Sequence, residues 1–149
     1  MTVCQWMENG SVLECDEVLH FNPYRKVTLQ SHLYDSLRVG FSRSDYLAVC
    51  GTVRMTGASG RAHNPSAHAA FRCPVSPGEC RHRQRAFYDF LKDVVLGSGF
   101  ADLPSLIRIS DRTDFINGHP PGEVVERGTR EERQALVNLL RERASAAVG

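Results

Sequence analysis

Apolar and polar positions alternate on either side of Asn9-Gly10 in residues 2–19, TVCQWMENGSVLECDEVL. A period of two is strand spacing, and Asn-Gly tolerates the positive φ of a two-residue hairpin turn. A turn centred there pairs Glu8 with Ser11, Trp6 with Leu13 and Cys4 with Cys15. That register gathers Trp6, Leu13 and the two cysteines on one apolar face and turns Gln5, Glu14 and Asp16 outward. HFNPYRKV then reads as a polar connection broken at Asn22-Pro23. Ser31 is expected to cap a short helix, HLYDSLRVG, with Leu33, Tyr34 and Leu37 inward and Gly40 closing it. SDYLAVCGTVRM predicts a strand, with Leu47, Val49, Val53 and Met55 on one face and Tyr46, Ala48, Cys50 and Thr52 on the other. Gly51 marks a bulge or a close backbone approach. Residues 56–69, TGASGRAHNPSAHA, are loop by composition.

The second half reads more plainly. Ala86, Phe87, Phe90, Leu91, Val94 and Val95 recur at helical spacing, and Gly97 ends that helix. LPSLIRIS alternates Leu106, Arg108 and Ser110 against Ile107 and Ile109, as a strand does. The last helix opens on a capping box, Thr129 with Glu132 three residues on, and buries Ala135, Leu136, Leu139 and Leu140. The expected fold is one α+β domain over residues 1–149. Its sheet is mostly antiparallel, starts with the N-terminal β-hairpin, and is packed by two principal helices at about 82–96 and 130–144.

The length of 149 residues allows a buried core without staples. No apolar run reaches the roughly 20 residues that span a bilayer, and the N-terminus lacks a secretory layout. The expectation is a cytoplasmic protein with no membrane partner. Five cysteines, an odd count, point to reduced thiols rather than a disulfide framework. The hairpin register puts Cys4 and Cys15 within reach of one another and leaves that one pairing open. Net charge is only +1, which excludes indiscriminate coating of nucleic acid. Yet Lys26 and Lys92 are the only lysines among 18 basic residues, and the arginine fork suits phosphate and carboxylate.

Candidate chemistry concentrates in FRCPVSPGECRHRQRAF, residues 71–87. Cys73, Cys80 and His82, with His68 or His63, offer the thiolate and imidazole donors of a zinc site. The spacing Cys-x6-Cys-x-His is not that of the common zinc knuckle. Arg72, Arg81, Arg83 and Arg85 lead into or open the helix, where positive charge opposes the macrodipole and a bound anion would relieve the conflict. PVSPGECRHRQ resembles the turn and helix start of the cytidine deaminases. That family places a second cysteine directly after the proline, where this chain has Gly78, and a glutamate two residues after an upstream ligand, where it has Ala70 after His68. Deaminase chemistry is therefore not expected.

The favoured reading is a small regulatory or accessory interaction protein. It would bind a protein partner, nucleic acid or phosphate through the Arg/His/Cys segment, with zinc as the stabilising ion if one is held. One alternative is a cysteine–histidine hydrolase or autoprocessing peptidase using Cys50 and His119, with Asp111 or Asp114 orienting the imidazole. Another is a structural subunit that assembles through the apolar stripe of its C-terminal helix.

Overall fold

The structure is a computed structural model that describes residues 4–6, 10–52, 77–100 and 103–148. Of these residues, 59% are helical. Five α-helices follow one another among them: α1 (Pro23–Leu29), α2 (Arg43–Val49), α3 (Pro77–Gly97), α4 (Pro121–Arg127) and α5 (Arg130–Val148). Two short 3-10 turns, Val18–His20 and His32–Asp35, join them. The sheet is small, with order β1 (Cys4–Trp6), β2 (Val12–Cys15), β3 (Leu106–Ile109). β1 runs antiparallel to β2, and β2 runs parallel to β3.

The expected mostly antiparallel sheet with two principal helices is thus corrected to a mostly helical fold around a short, largely parallel core. Three misread segments account for the difference, one of them Pro121–Arg127, a helix opened by Pro121 inside the stretch 111–128 that reads as turn-rich. Residues 43–49 form α2 instead of a strand. Ser42 accepts from the Asp45 amide, Tyr46 and Cys50 bury one turn apart, and Gly51 ends the helix at φ +91°. Apolar residues on both sides of SDYLAVC fit a period of two or of 3.6, and the cap decides between them. Residues 53–55 of the expected strand, and the loop at 56–69, lie outside the described residues. Asn22-Pro23, read as a break, is a helix start. The Asn22 side chain accepts from the Arg25 amide at 3.0 Å, and Pro23 occupies the first turn, where its missing N–H costs nothing. Ser31 caps as expected, but only a 3-10 turn follows, and Leu33 stays exposed.

The N-terminal hairpin forms with a different register. Cys4 pairs with Glu14 and Trp6 with Val12, one residue away from the expected pairing. A shift of one exchanges the two faces of a strand. Glu14 and Asp16 are accordingly buried, while Cys15 is exposed. In the parallel ladder Glu14 lies beside Arg108, and Leu13 beside Ile107. Gly40 bridges the far side of β3, giving its amide to the Leu106 carbonyl and taking the Arg108 amide.

The sheet's two faces serve different cores. On one side Leu13 and Ile109 pack with Val124 of α4 and Leu136, Leu139 and Leu140 of α5. Three leucines of the expected C-terminal stripe thus pack against this face of the sheet. α5 starts on the expected capping box, with Thr129 Oγ1 accepting from the Glu132 amide at 3.2 Å and Glu132 accepting from the Thr129 amide at 2.8 Å. On the other side, Glu14 and Arg108 face α1 and α3. Beyond them lies an aromatic cluster of Phe21, Leu29, Tyr34, Phe41, Tyr46 and Cys50.

Candidate functional site

α3 is the element that carries the chemistry, and a buried ionic network fixes its orientation. Arg108, fully buried in β3, takes Glu14 at 2.7 Å, Asp16 at 2.8 Å and Asp93 at 2.8 Å. Asp89 stands 3.7 Å from its guanidinium. Arg25, from the buried face of α1, reaches Asp93 at 2.5 Å and gives a second hydrogen bond to the Tyr34 hydroxyl. Tyr34 in turn donates to Asp93 at 2.6 Å. Lys92 closes on Glu14 from the rim. The His20 ring nitrogen Nδ1 lies 2.8 Å from Asp89 and 3.3 Å from Asp16, and Tyr46 donates to Asp16.

Burial alone would raise every one of these carboxyls. For Asp93 it is outweighed by Arg108, Arg25 and the Tyr34 hydroxyl, so Asp93 titrates below the usual range. Glu14 and Asp89 are lowered in the same way, with burial outweighed chiefly by Arg108. Asp16 goes the other way: burial and its acidic neighbours exceed the help of Arg108 and His20, and its pKa is raised. Four carboxylates thus face three cations, Arg25, Arg108 and Lys92. Apart from Lys92 at the rim the network is buried, and it ties β2, β3, α1 and α3 together.

Its consequence is the facing of α3. Asp89 and Asp93, one turn apart, point inward to the arginines with Ala86 and His82 on the same stripe. Of the apolar positions that periodicity would bury, Ala86 is buried and Phe90 packs against the aromatic cluster, but three are turned out. Phe87, Leu91 and Val95 are 40–48% exposed, and Tyr88 is 48% exposed.

The arginines of the opening segment fall into two groups. Arg83 is engaged within the fold, paired with Glu79 at 3.1 Å and lying 4.8 Å over the Tyr24 ring. Arg81 and Arg85 sit one turn apart on another face, and among the described residues neither forms an ion pair. Burial and the neighbouring Arg81 hold Arg85 below the usual guanidinium range, and Asp89 and Asp16 offset this only in part. Gln84, buried between them, accepts from Arg81 and donates to the Tyr88 hydroxyl at 3.3 Å. One side chain therefore fixes both the guanidinium and the ring. Arg72 lies outside the described residues.

Of the expected zinc donors, His68 and Cys73, with His63, also lie outside the described residues. Cys80 and His82 are both buried in α3. Two residues on a helix are about 200° apart, so these two side chains leave the helix on opposite sides and do not share an ion. Among the described residues no group of three or more His, Cys, Asp and Glu side chains is arranged to hold a metal. His82 is held below its ordinary value by burial and by Arg85.

The cysteine–histidine alternative is dispersed. Cys50 ends α2 inside the aromatic cluster, 2% exposed, and burial pushes its thiol up to about 11. His119 is an exposed residue near α4 and α5, 3.3 Å from Glu123 and 3.8 Å from Glu132. Asp114 is engaged by Arg143 and the Ser110 amide, and Asp111 by the Gly122 amide.

The residues that sequence reasoning missed are the network itself: Glu14, Asp16, Arg25, Asp89, Asp93 and Arg108. One signal was available. Arg108 stands between two isoleucines in a strand with no polar neighbour until Ser110, a position where a charge must be met by opposite charges. Among the described residues no helix is long and apolar enough to cross a membrane. No curated protein and no solved structure matches the chain. The match that exists covers the hairpin, the network and the arginine face together: residues 2–119 fit the family of unknown function DUF7255, and the chain belongs to that family.

Proposed function

We propose that this protein is a binding module for single-stranded nucleic acid, with the outer face of α3 as its contact surface. The observation that carries this reading is the placement of Arg81 and Arg85 on one face, one of them half-buried, with no acid paired to either among the described residues. Two guanidiniums kept side by side repel each other, and a phosphate shared between their forks removes that cost. The exposed Tyr88 ring, tied to Arg81 through Gln84, supplies a surface on which a base can stack. Phe87 lies beside it, with ring centroids 6.3 Å apart. Phosphate and a stackable ring recur together along an unpaired strand. A net charge of +1 suits a localised contact of this kind better than a general polyanion grip.

The test is fluorescence anisotropy with a labelled oligothymidylate at low salt. Binding is expected, with an affinity that falls with salt at a log–log slope of about −1.4, two phosphates at roughly 0.7 each. The pair Arg81→Gln with Arg85→Gln should remove binding. Tyr88→Ala should weaken it by about 1–3 kcal/mol while leaving the salt slope unchanged. No binding at about 100 µM protein, or equal binding by the double variant, refutes the reading. A phosphopeptide of matched charge that binds better than the oligonucleotide would keep the anion site and discard the nucleic acid.

A further inference from the structure

The opposite face of the sheet opens on a cleft of about 390 Å³, within the range of small-molecule sites. Its floor is apolar, with Leu13 and Ile109 from the sheet and Leu136 and Leu140 from α5, and the exposed Val125 of α4 lines its edge. Its charged lining residues are of one sign. They are Asp16, Glu17, Asp111 and Glu126, beside the neutral Ser110 and Cys15, and no Lys, Arg or His is among the described lining residues. Asp16 is consumed by Arg108 and His20 in the network behind. Asp111 is fixed at the mouth, where the Gly122 amide donates to it at 2.9 Å. A side chain at position 122 would meet that carboxylate at 3.1 Å, so the glycine leaves room for it. Glu126 is exposed on the same rim, one turn along α4.

We infer that this cleft binds an organic cation: an apolar body about the size of one aromatic ring, carrying a protonated amine that rests between Asp111 and Glu126. The volume and the apolar floor fit the body. The acidic lining selects the charge, because a carboxylate ligand would meet repulsion and a neutral one would leave the rim carboxylates solvated without gain. This site is independent of Arg81, Arg85 and Tyr88.

Phenethylammonium, 2-phenylethanol and 3-phenylpropionate share one ring and differ in head charge, so they separate the contributions. In ¹H–¹⁵N spectra at neutral pH, phenethylammonium should shift the amides of Leu13, Ile109, Val125 and Leu136. It should bind about tenfold more tightly than the alcohol, and the carboxylate should not bind measurably. Glu126→Gln, an exposed change, should cut the amine's advantage over the alcohol about threefold, and Asp111→Asn added to it should abolish that advantage. Cys15, exposed at the cleft, gives a second readout. A cationic methanethiosulfonate should label it faster than an anionic one, and phenethylammonium should slow both. Equal affinity for amine and alcohol, tighter binding of the carboxylate, or shifts confined to residues away from the cleft would each overturn the inference.

Discussion

Replacing Arg108 with methionine tests the core of this fold, because it removes the charge while keeping most of the length and apolar stem of the side chain. Glu14, Asp16 and Asp93 each lose a contact of 2.7–2.8 Å. Partners remain at each: Lys92 for Glu14, His20 and Tyr46 for Asp16, and Arg25 and Tyr34 for Asp93. Breaking a buried pair from one side costs about 3–5 kcal/mol, because the carboxylate left behind has already lost its water. The surviving partners moderate the loss at each acid, but three acids share it. We expect about 4 kcal/mol or more, a large part of the roughly 5–15 kcal/mol that holds a domain of this size.

Urea melts at two pH values give the experiment its sign. In the natural protein, Glu14, Asp89 and Asp93 are held below their ordinary values, chiefly by Arg108 against the cost of burial. Their contribution is present above the unfolded carboxyl range near pH 4 and is lost as pH falls through the lower folded values. Asp16, which is raised, contributes in the opposite direction and softens the slope. Without Arg108 the largest opposition to burial is gone, and the partners that remain hold the folded values of these acids down less. The variant should therefore lose less stability than the natural protein as pH falls below about 4. A loss below about 1 kcal/mol, or the same pH slope in both proteins, would show that Arg108 does not hold the network.

Three further outcomes follow from the geometry. Under limiting iodoacetamide near pH 7.5, peptide mass spectrometry should find Cys15 modified well before Cys50, whose buried thiol sits at about 11. Faster labelling of Cys50 that depends on His119 would restore the nucleophile reading. Gly40→Ala should cost about 1–3 kcal/mol in chemical denaturation, since a Cβ there meets the Leu106 carbonyl at 2.8 Å and the Arg143 carbonyl at 3.2 Å, both backbone. Thr129→Ala should cost about 1 kcal/mol by removing the cap of α5, and Thr129→Ser should recover most of it.

Sequence alone determined where the long elements lie. The helix ending at Gly97, the strand at Leu106–Ile109 and the capped helix from residue 130 follow from spacing, glycine and the Thr129–Glu132 box, all local signals that tertiary contacts do not overrule. It put Arg72, Arg81, Arg83 and Arg85 forward together as anion contacts; Arg72 lies outside the described residues, Arg83 pairs with Glu79, and Arg81 and Arg85 share one partly exposed face. Tertiary structure decided which way those elements face. Periodicity gives the repeat of a pattern but not its phase relative to the core. α3 carries an apolar stripe at Phe87, Leu91 and Val95 and a charged one at Asp89 and Asp93, and β2 alternates Leu13 and Cys15 with Glu14 and Asp16. An apolar reading buries the first stripe of α3 and sends Glu14 and Asp16 to water. The fold turns Phe87, Leu91 and Val95 out and buries Glu14, Asp16, Asp89 and Asp93, while Leu13 still packs inward, because Arg108 is buried in β3 and Arg25 in α1, and a buried cation must gather anions from whatever elements surround it. That demand arises between residues far apart in the chain, Asp16 and Arg108 for one, and no local window of sequence contains it.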